Sequence, residues 1–267
     1  MKSSFIKFML TAIKHLLALS AVIALVWMGL NIGLSIFDEQ QPESPFDTER
    51  EEMAKATNQG YIYYRQDDYE NALLNFKKAL EISQKAGDLA AEGRALNNIG
   101  LVYLTQGDYE KAINIYNKTL TISREVGDKK SEWTALNNLA SVYYNLGDSN
   151  KSLGYYKHSL ALTQAKGDKN DEIATLNNIA FIYHEQELYD KALIIYQQSL
   201  TISREINNRP AEAKALTIIG EIYQSQALYD HALGVYEQAL VIFEELGDEE
   251  GKERVLDNLS NLPGQIM

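Results

Sequence analysis

The sequence predicts an all-α protein, a solenoid of five stacked helical hairpins closed by a C-terminal capping helix and preceded by one transmembrane helix. Three observations carry that prediction. Marker residues return every 40 positions through most of the 267-residue chain; apolar residues inside each period recur three and four apart; and residues 16–37 hold no charge. A fixed period of this length marks an array, in which each unit buries its apolar face against the next one.

The uncharged stretch comes first. "LLALSAVIALVWMGLNIGLSIF", Leu16 to Phe37, follows a basic tail of residues 1–15 with Lys2, Lys7 and Lys14. As a helix, its 22 residues reach about 33 Å, enough to cross a hydrocarbon core of about 30 Å. The run is longer than the usual ~7–15 apolar residues of a cleaved signal peptide and lacks an A-x-A site, which favours an uncleaved signal anchor over the competing cleaved form. With lysines before the span and the acidic "DEQQPES" after it, the positive-inside bias predicts a single-pass membrane protein with a cytoplasmic N-terminus. The remainder would then lie on the extracytoplasmic side, the periplasm if the source is bacterial. Residues 38–45 read as a linker.

The array is read over residues 46–260, with units at about 52–87, 88–127, 128–167, 168–207 and 208–247, a cap at 248–260 and a loose end at 261–267. Small residues Gly60, Gly100, Ala140, Ala180 and Gly220 each precede a tyrosine by three positions: Tyr63, Tyr103, Tyr143, Tyr183 and Tyr223. Ala72, Ala112, Ser152, Ala192 and Ala232 follow, then the aromatic series Phe76, Tyr116, Tyr156, Tyr196 and Tyr236. Segments such as "AINIYNKTLTI" have the spacing of an amphipathic helix, and small residues let two helix axes approach, so each unit is a helical hairpin. Gly87, Gly127, Gly167 and Gly247 suit helix ends that need positive φ, and the aspartates after them suit N-caps. "SPFD" at 44–47 reads as a capping box with proline at the first helical position.

These markers resemble the tetratricopeptide repeat family, in its forty-residue variety as found in kinesin light chains and related adaptors. The resemblance covers about residues 46–260 and implies a right-handed superhelix whose first helices line a concave groove. Two departures stand out. Ser149 replaces the tyrosine found at 69, 109, 189 and 229, which predicts looser packing in the third unit. The family's proline after the second helix is missing, with Arg124 and Arg204 in its place in two units.

The resemblance also implies that the residue two before each small position faces the groove: Asn58, Asn98, Asn138 and Asn178, with Asn258 in the cap and Ile218 breaking the row. A carboxamide offers donors and an acceptor, the complement of a peptide unit, and can hold an extended main chain whatever its side chains. The competing reading is that these amides satisfy polar groups between helices. The neighbouring amides Asn97, Asn137 and Asn177 are expected to tie each helix to its neighbour's backbone. Around the row the groove varies, with Arg94, then Phe181, His184 and Glu185, then Lys214, Ile218 and Glu221. The partner this implies is a protein or peptide with an apolar residue near the Ile218 end. Thr57, Asn97 and Asn137 stand where a clamp for acidic C-termini needs cations, so that mode is not matched.

Composition narrows the function further. The net charge is −12, of which residues 1–37 contribute +3, leaving −15 on the rest without a basic stripe; nucleic acid is excluded as a partner. No cysteine is present, which removes thiol nucleophiles and zinc–thiolate sites. "HEQEL" at 184–188 lacks the second histidine of a zinc-protease helix, and "DKNDE" at 168–172 lacks the glycine of a calcium loop. No cofactor, metal site or catalytic residue is expected, and the sequence reads as a non-enzymatic scaffold or adaptor held at a membrane. A ligand-responsive sensor or self-assembling regulator is the alternative, and homo-oligomers fit either.

Overall fold

The computed structural model describes residues 45–263. The chain divides into two compact units, residues 1–52 and 53–267; the described part of the first is the opening of one helix, and the second holds the array. The described residues form eleven α-helices: α1 Pro45–Arg65, α2 Tyr69–Ala86, α3 Leu89–Thr105, α4 Tyr109–Val126, α5 Lys129–Asn145, α6 Ser149–Lys166, α7 Lys169–Glu185, α8 Tyr189–Glu205, α9 Arg209–Ser225, α10 Tyr229–Leu246 and α11 Glu249–Ser260. Helices neighbouring in sequence pack on one another, so the second unit is an all-helical solenoid over its described residues.

The punctuation follows from side-chain chemistry. Asp88, Asp128, Asp168 and Asp248 accept hydrogen bonds from backbone N–H groups of the first turns of α3, α5, α7 and α11. Before them Gly87, Gly127, Gly167 and Gly247 take φ of 66–73°, the left-handed conformation that returns orphan N–H groups to the ending helix. Asn208 caps α9, with Asn207 left-handed before it. Within the hairpins Asp68, Asp108 and Asp148 cap α2, α4 and α6, whereas Leu188 and Leu228 occupy the same place without any side-chain bond.

Each hairpin closes on a small residue against a ring. A Cβ added to Gly100 would lie 2.5 Å from Tyr116 Cε1, and Gly60 and Gly220 stand equally close to Phe76 and Tyr236. Tyr116, Phe76 and Tyr236 are wholly buried. Between units a polar clip recurs: Gln84 donates to Glu92 (2.9 Å), Arg124 to Glu132 (2.8 Å), Gln164 to Glu172 (3.1 Å) and Arg204 to Glu212 (2.8 Å). Arg124 and Arg204, where a proline was expected, therefore fasten the end of one hairpin to the start of the next. Lys129 and Arg209 supply a second bond to the buried Glu132 and Glu212.

First helices also touch across units, α3 on α5, α7 on α9 and α9 on α11, while among the described residues no two second helices pack to that extent. The array thus curves with its first helices inside.

The membrane placement is corrected. Among the described residues no helix is long and apolar enough to cross a membrane, because each array helix keeps a polar face beside its buried one. Residues 16–37, on which the expected span rested, lie outside the described residues. The assignment as a single-pass membrane protein with an extracytoplasmic array does not stand.

Candidate functional site: the inner face of the array

The first helices carry the candidate residues at one register, so helix periodicity alone aligns them: Asn58 on α1, Asn98 on α3, Asn138 on α5, Asn178 on α7 and Ile218 on α9. Asn58 is exposed, and Asn98, Asn138, Asn178 and Asn258 are half-buried. The carboxamides of Asn58, Asn138 and Asn178 hydrogen-bond to no described residue. Asn98 Oδ1 accepts the Tyr61 hydroxyl at 2.7 Å, a bond from one unit to the next. Burial pushes the Tyr61 hydroxyl above its ordinary pKa, against the lowering effect of Asn98, so it remains a donor. Asn258 Nδ2 donates to Glu221 Oε1 at 3.1 Å, and Arg254 Nη2 reaches the same oxygen at 2.7 Å. The last unit and the cap therefore bind each other across the inner face, and Glu221 faces its own chain.

The second amide of each pair turns its oxygen away from solvent. Asn97 and Asn137 are buried. Asn137 Nδ2 donates to Trp133 O at 2.8 Å and to Ser159 Oγ at 2.6 Å, so it joins α5 to α6 through a side-chain hydroxyl rather than through the neighbour's backbone. The Oδ1 atoms of Asn97, Asn137 and Asn177 have no hydrogen-bond partner. Ser159, Thr175 and Trp133 extend the Asn137 contact into a buried polar network between the third and fourth units.

Apolar and aromatic groups cluster toward the fourth unit. Phe181 is 43 % exposed, and its ring meets Tyr144 edge-on at 5.5 Å between centroids. His184 Nδ1 lies 3.6 Å from Glu185 Oε1, and its ring is 5.7 Å from Tyr189. Ile218 is half-buried and packs on the core of the last two units. Arg94, by contrast, is exposed and forms no ion pair with a described residue.

Arg94, Asn58 and Asn98 meet at a cavity of about 650 Å³ between α1, α3 and α5, lined also by Met53, Thr57, Asp128, Lys130 and Thr134. The sequence indicated the three polar residues but not the cavity. Its walls combine Met53 and Ala54, four or five residues before Asn58, with the cap of α5, and no motif links these. A signal was present in the row four residues before the asparagines, Ala54, Arg94 and Thr134, where one large cation sits between two small side chains. Among the described residues no three metal-ligating side chains converge.

Stacked hairpins with an open inner face define a helical-repeat scaffold. The tetratricopeptide repeat model matches residues 52–125, 133–205 and 171–245, well over half the chain, and the protein belongs to that family. No curated protein matches it in sequence. Among solved structures it is similar to aspartyl phosphate phosphatase F from Bacillus subtilis (TM-score 0.74, 16% identity, 87% of this chain and 60% of that one). A putative kinesin light chain of nearly identical TPR-like repeats from Podosopora anserina is also similar (TM-score 0.60, 13% identity, 73% and 96%). So is a Rap protein complexed with competence and sporulation factor (TM-score 0.63, 16% identity, 79% and 62%). This chain spans less than two thirds of the phosphatase and of the Rap protein, and at these identities the likeness is one of fold.

Proposed function

We propose that the protein is a non-catalytic scaffold whose inner face binds an extended segment of a partner protein. One observation supports this reading: Asn58, Asn138 and Asn178 stand at matching register on the first helices, half-buried or exposed, and their carboxamides hydrogen-bond to no described residue. Asn137, the inward amide of its pair, is by contrast bonded to Trp133 and Ser159. Neighbouring helices lie about 8–10 Å apart and an extended chain advances about 3.3 Å per residue, so successive units would meet a guest every third residue. Main-chain recognition of this kind supplies affinity, while Phe181 and Arg94 would select side chains. With Glu221 held by Arg254 and Asn258, the track runs over the first four units. The Rap complex is a protein of the same fold with a bound factor, which agrees with this use of the array.

The test uses the full chain and a display library of random decapeptides. Selection should enrich binders, and replacing Asn58, Asn138 and Asn178 together by alanine should abolish their binding while circular dichroism shows unchanged helicity. Failure to enrich any peptide, or equal binding by the triple variant, refutes the groove reading.

A further inference from the structure

The outer side of the array carries a charged surface of its own. In every second helix two exposed positions lie between the buried ring and the buried small residue three places on, and helix periodicity turns both outward. They hold Lys77 and Lys78 in α2, Asn117 and Lys118 in α4, Lys157 and His158 in α6, Gln197 and Gln198 in α8, and Glu237 and Gln238 in α10. The series runs from basic to acidic along the array. The surrounding sequence runs the same way, since residues 53–167 hold 14 Lys and Arg against 12 Asp and Glu, and residues 168–263 hold 7 against 18. The net charge of −12 therefore hides a basic end. Other lysines of these helices are engaged nearby, Lys85 with Glu81 at 2.7 Å and Lys151 with Asp148 at 3.0 Å. Lys77, Lys78, Lys118 and Lys157 form no ion pair with a described residue, and at the far end neither does Glu237. Each charged row also has an exposed apolar neighbour one helical turn away: Leu74, 65 % exposed, stands before Lys77 and Lys78, and Val241, 53 % exposed, follows Glu237.

We propose that this surface docks a second copy of the chain head to tail, the outer face of α10 from one molecule lying on the outer faces of α2 and α4 of the next. Glu237 and Glu244 of the first then meet Lys77, Lys78 and Lys118 of the second, with Leu74 and Val241 as the apolar centre of the contact. The complement of the basic row is thus on the same molecule. A planar anionic surface fits less well, because it would meet the acidic end of the array along with the basic one and be repelled there. Opposite signs at the two ends favour unlike ends and penalise like ones, which fixes the polarity of the contact. Such a contact is heterologous: each bound molecule still offers one free basic and one free acidic end, so association continues into open chains instead of stopping at a dimer. The inner face stays uncovered throughout, so the inference does not depend on the groove reading. A chain of copies would raise the avidity of whatever the inner faces hold.

Sedimentation velocity of the full chain decides the question. At about 20 mM salt the average mass should rise with protein concentration, and at about 500 mM salt that rise should vanish, because exposed charges are then screened. The double variant Lys77→Glu, Lys78→Glu and the double variant Glu237→Lys, Glu244→Lys should each weaken self-association about tenfold or more, since each turns both ends to one sign. Circular dichroism should show the parent's helicity in both, all four positions being exposed. Mixed together, the two variants should associate again in alternation, because every contact then joins opposite signs. A wild type of constant mass at low salt, association that ignores salt and both reversals, or a mixture no heavier than its components overturns the proposal. Binding of a monomeric wild type to phosphatidylglycerol vesicles, lost in Lys77→Glu, Lys78→Glu, would assign the basic row to a lipid surface and overturns it as well.

Discussion

Tyr116 and Tyr236 occupy the same register in the second and fifth hairpins, are equally buried, and differ in one atom's surroundings. The Tyr236 hydroxyl donates to Gln224 Oε1 at 2.9 Å, whereas the Tyr116 hydroxyl is buried without a partner. Burial, with a smaller contribution from Tyr64, pushes the Tyr116 hydroxyl well above its ordinary pKa, so it stays a neutral, desolvated phenol. An unsatisfied buried hydroxyl costs about 1–3 kcal/mol. Removing it in Tyr116→Phe leaves a void of roughly 10 Å³, worth about 0.2 kcal/mol on the usual cavity scale. The substitution should therefore stabilise by about 1 kcal/mol or more, and Phe76 shows that phenylalanine fits this register with complete burial. Tyr236→Phe should instead lose a bond worth about 1 kcal/mol. In thermal unfolding each kcal/mol moves the midpoint by about 2–4 °C for an array of this size. Since long arrays depart from two-state behaviour, hydrogen exchange of α3 and α4 should register the gain locally. If Tyr116→Phe destabilises as much as Tyr236→Phe, burial without a partner is not what distinguishes the two rings.

Three further outcomes follow from the packing and the caps. Leu228 holds the N-cap of α10 with no side-chain bond and is 43 % exposed, so Leu228→Asp should raise stability by about 1 kcal/mol in urea unfolding; Ala227→Gly, which relieves a left-handed φ of 58°, should add a smaller gain. Gly100→Ala should cost about 1–3 kcal/mol by pushing on Tyr116, and a variant as stable as the parent in the same assay would show that this ring can yield. Glu132 and Glu212 meet opposing effects, burial raising each pKa and the bonds from Arg124 and Lys129, or Arg204 and Arg209, outweighing it, so both lie below the ordinary value. Their contribution is present above the unfolded pKa and is lost as pH falls through the folded one; the thermal midpoint should drop below about pH 4.5, and less steeply in the double variant Glu132→Gln, Glu212→Gln.

Much of the architecture was legible because each hairpin repeats the same local decisions. Small residue, ring, glycine and aspartate recur at one spacing, and each acts within its own unit or the next, so reading one unit reads all of them. What escaped the sequence depends on side chains that meet across units. Nothing in "ALNNIG" shows that Tyr61 takes up Asn98, or that Arg254 and Asn258 close on Glu221. Ser149 signalled looser packing in the third unit, where the ring of Tyr156 is less completely buried than Tyr116 or Tyr236; what it did not signal is that Tyr143 stacks on Tyr155 at 5.4 Å with Lys151 over its face. The pairing is legible only once α5 and α6 are placed side by side. The expected span at 16–37 rested on hydropathy alone, with no neighbouring unit to check it against.

The paired asparagines divide their work by angle. Two adjacent residues on a helix point about 100° apart, so one amide of each pair must turn inward when the other faces the groove. Asn137 shows the inward role completed by Ser159, a hydroxyl repeated as Ser199 in the next unit and as Thr119 in the one before, and absent at Ala79. Asn97 and Asn177 lack that completed bond, and in the fifth unit Thr217 substitutes by bonding its own helix at Ala213. The inward amide is thus negotiable from unit to unit. The outward position stays asparagine through the first four units and changes to Ile218 where Glu221 is already held by the cap. A residue kept only for packing would follow its local partners in that way, as Asn98 does with Tyr61; Asn58, Asn138 and Asn178 have no such partner among the described residues, and under the proposed function they are the ones a guest chain would meet.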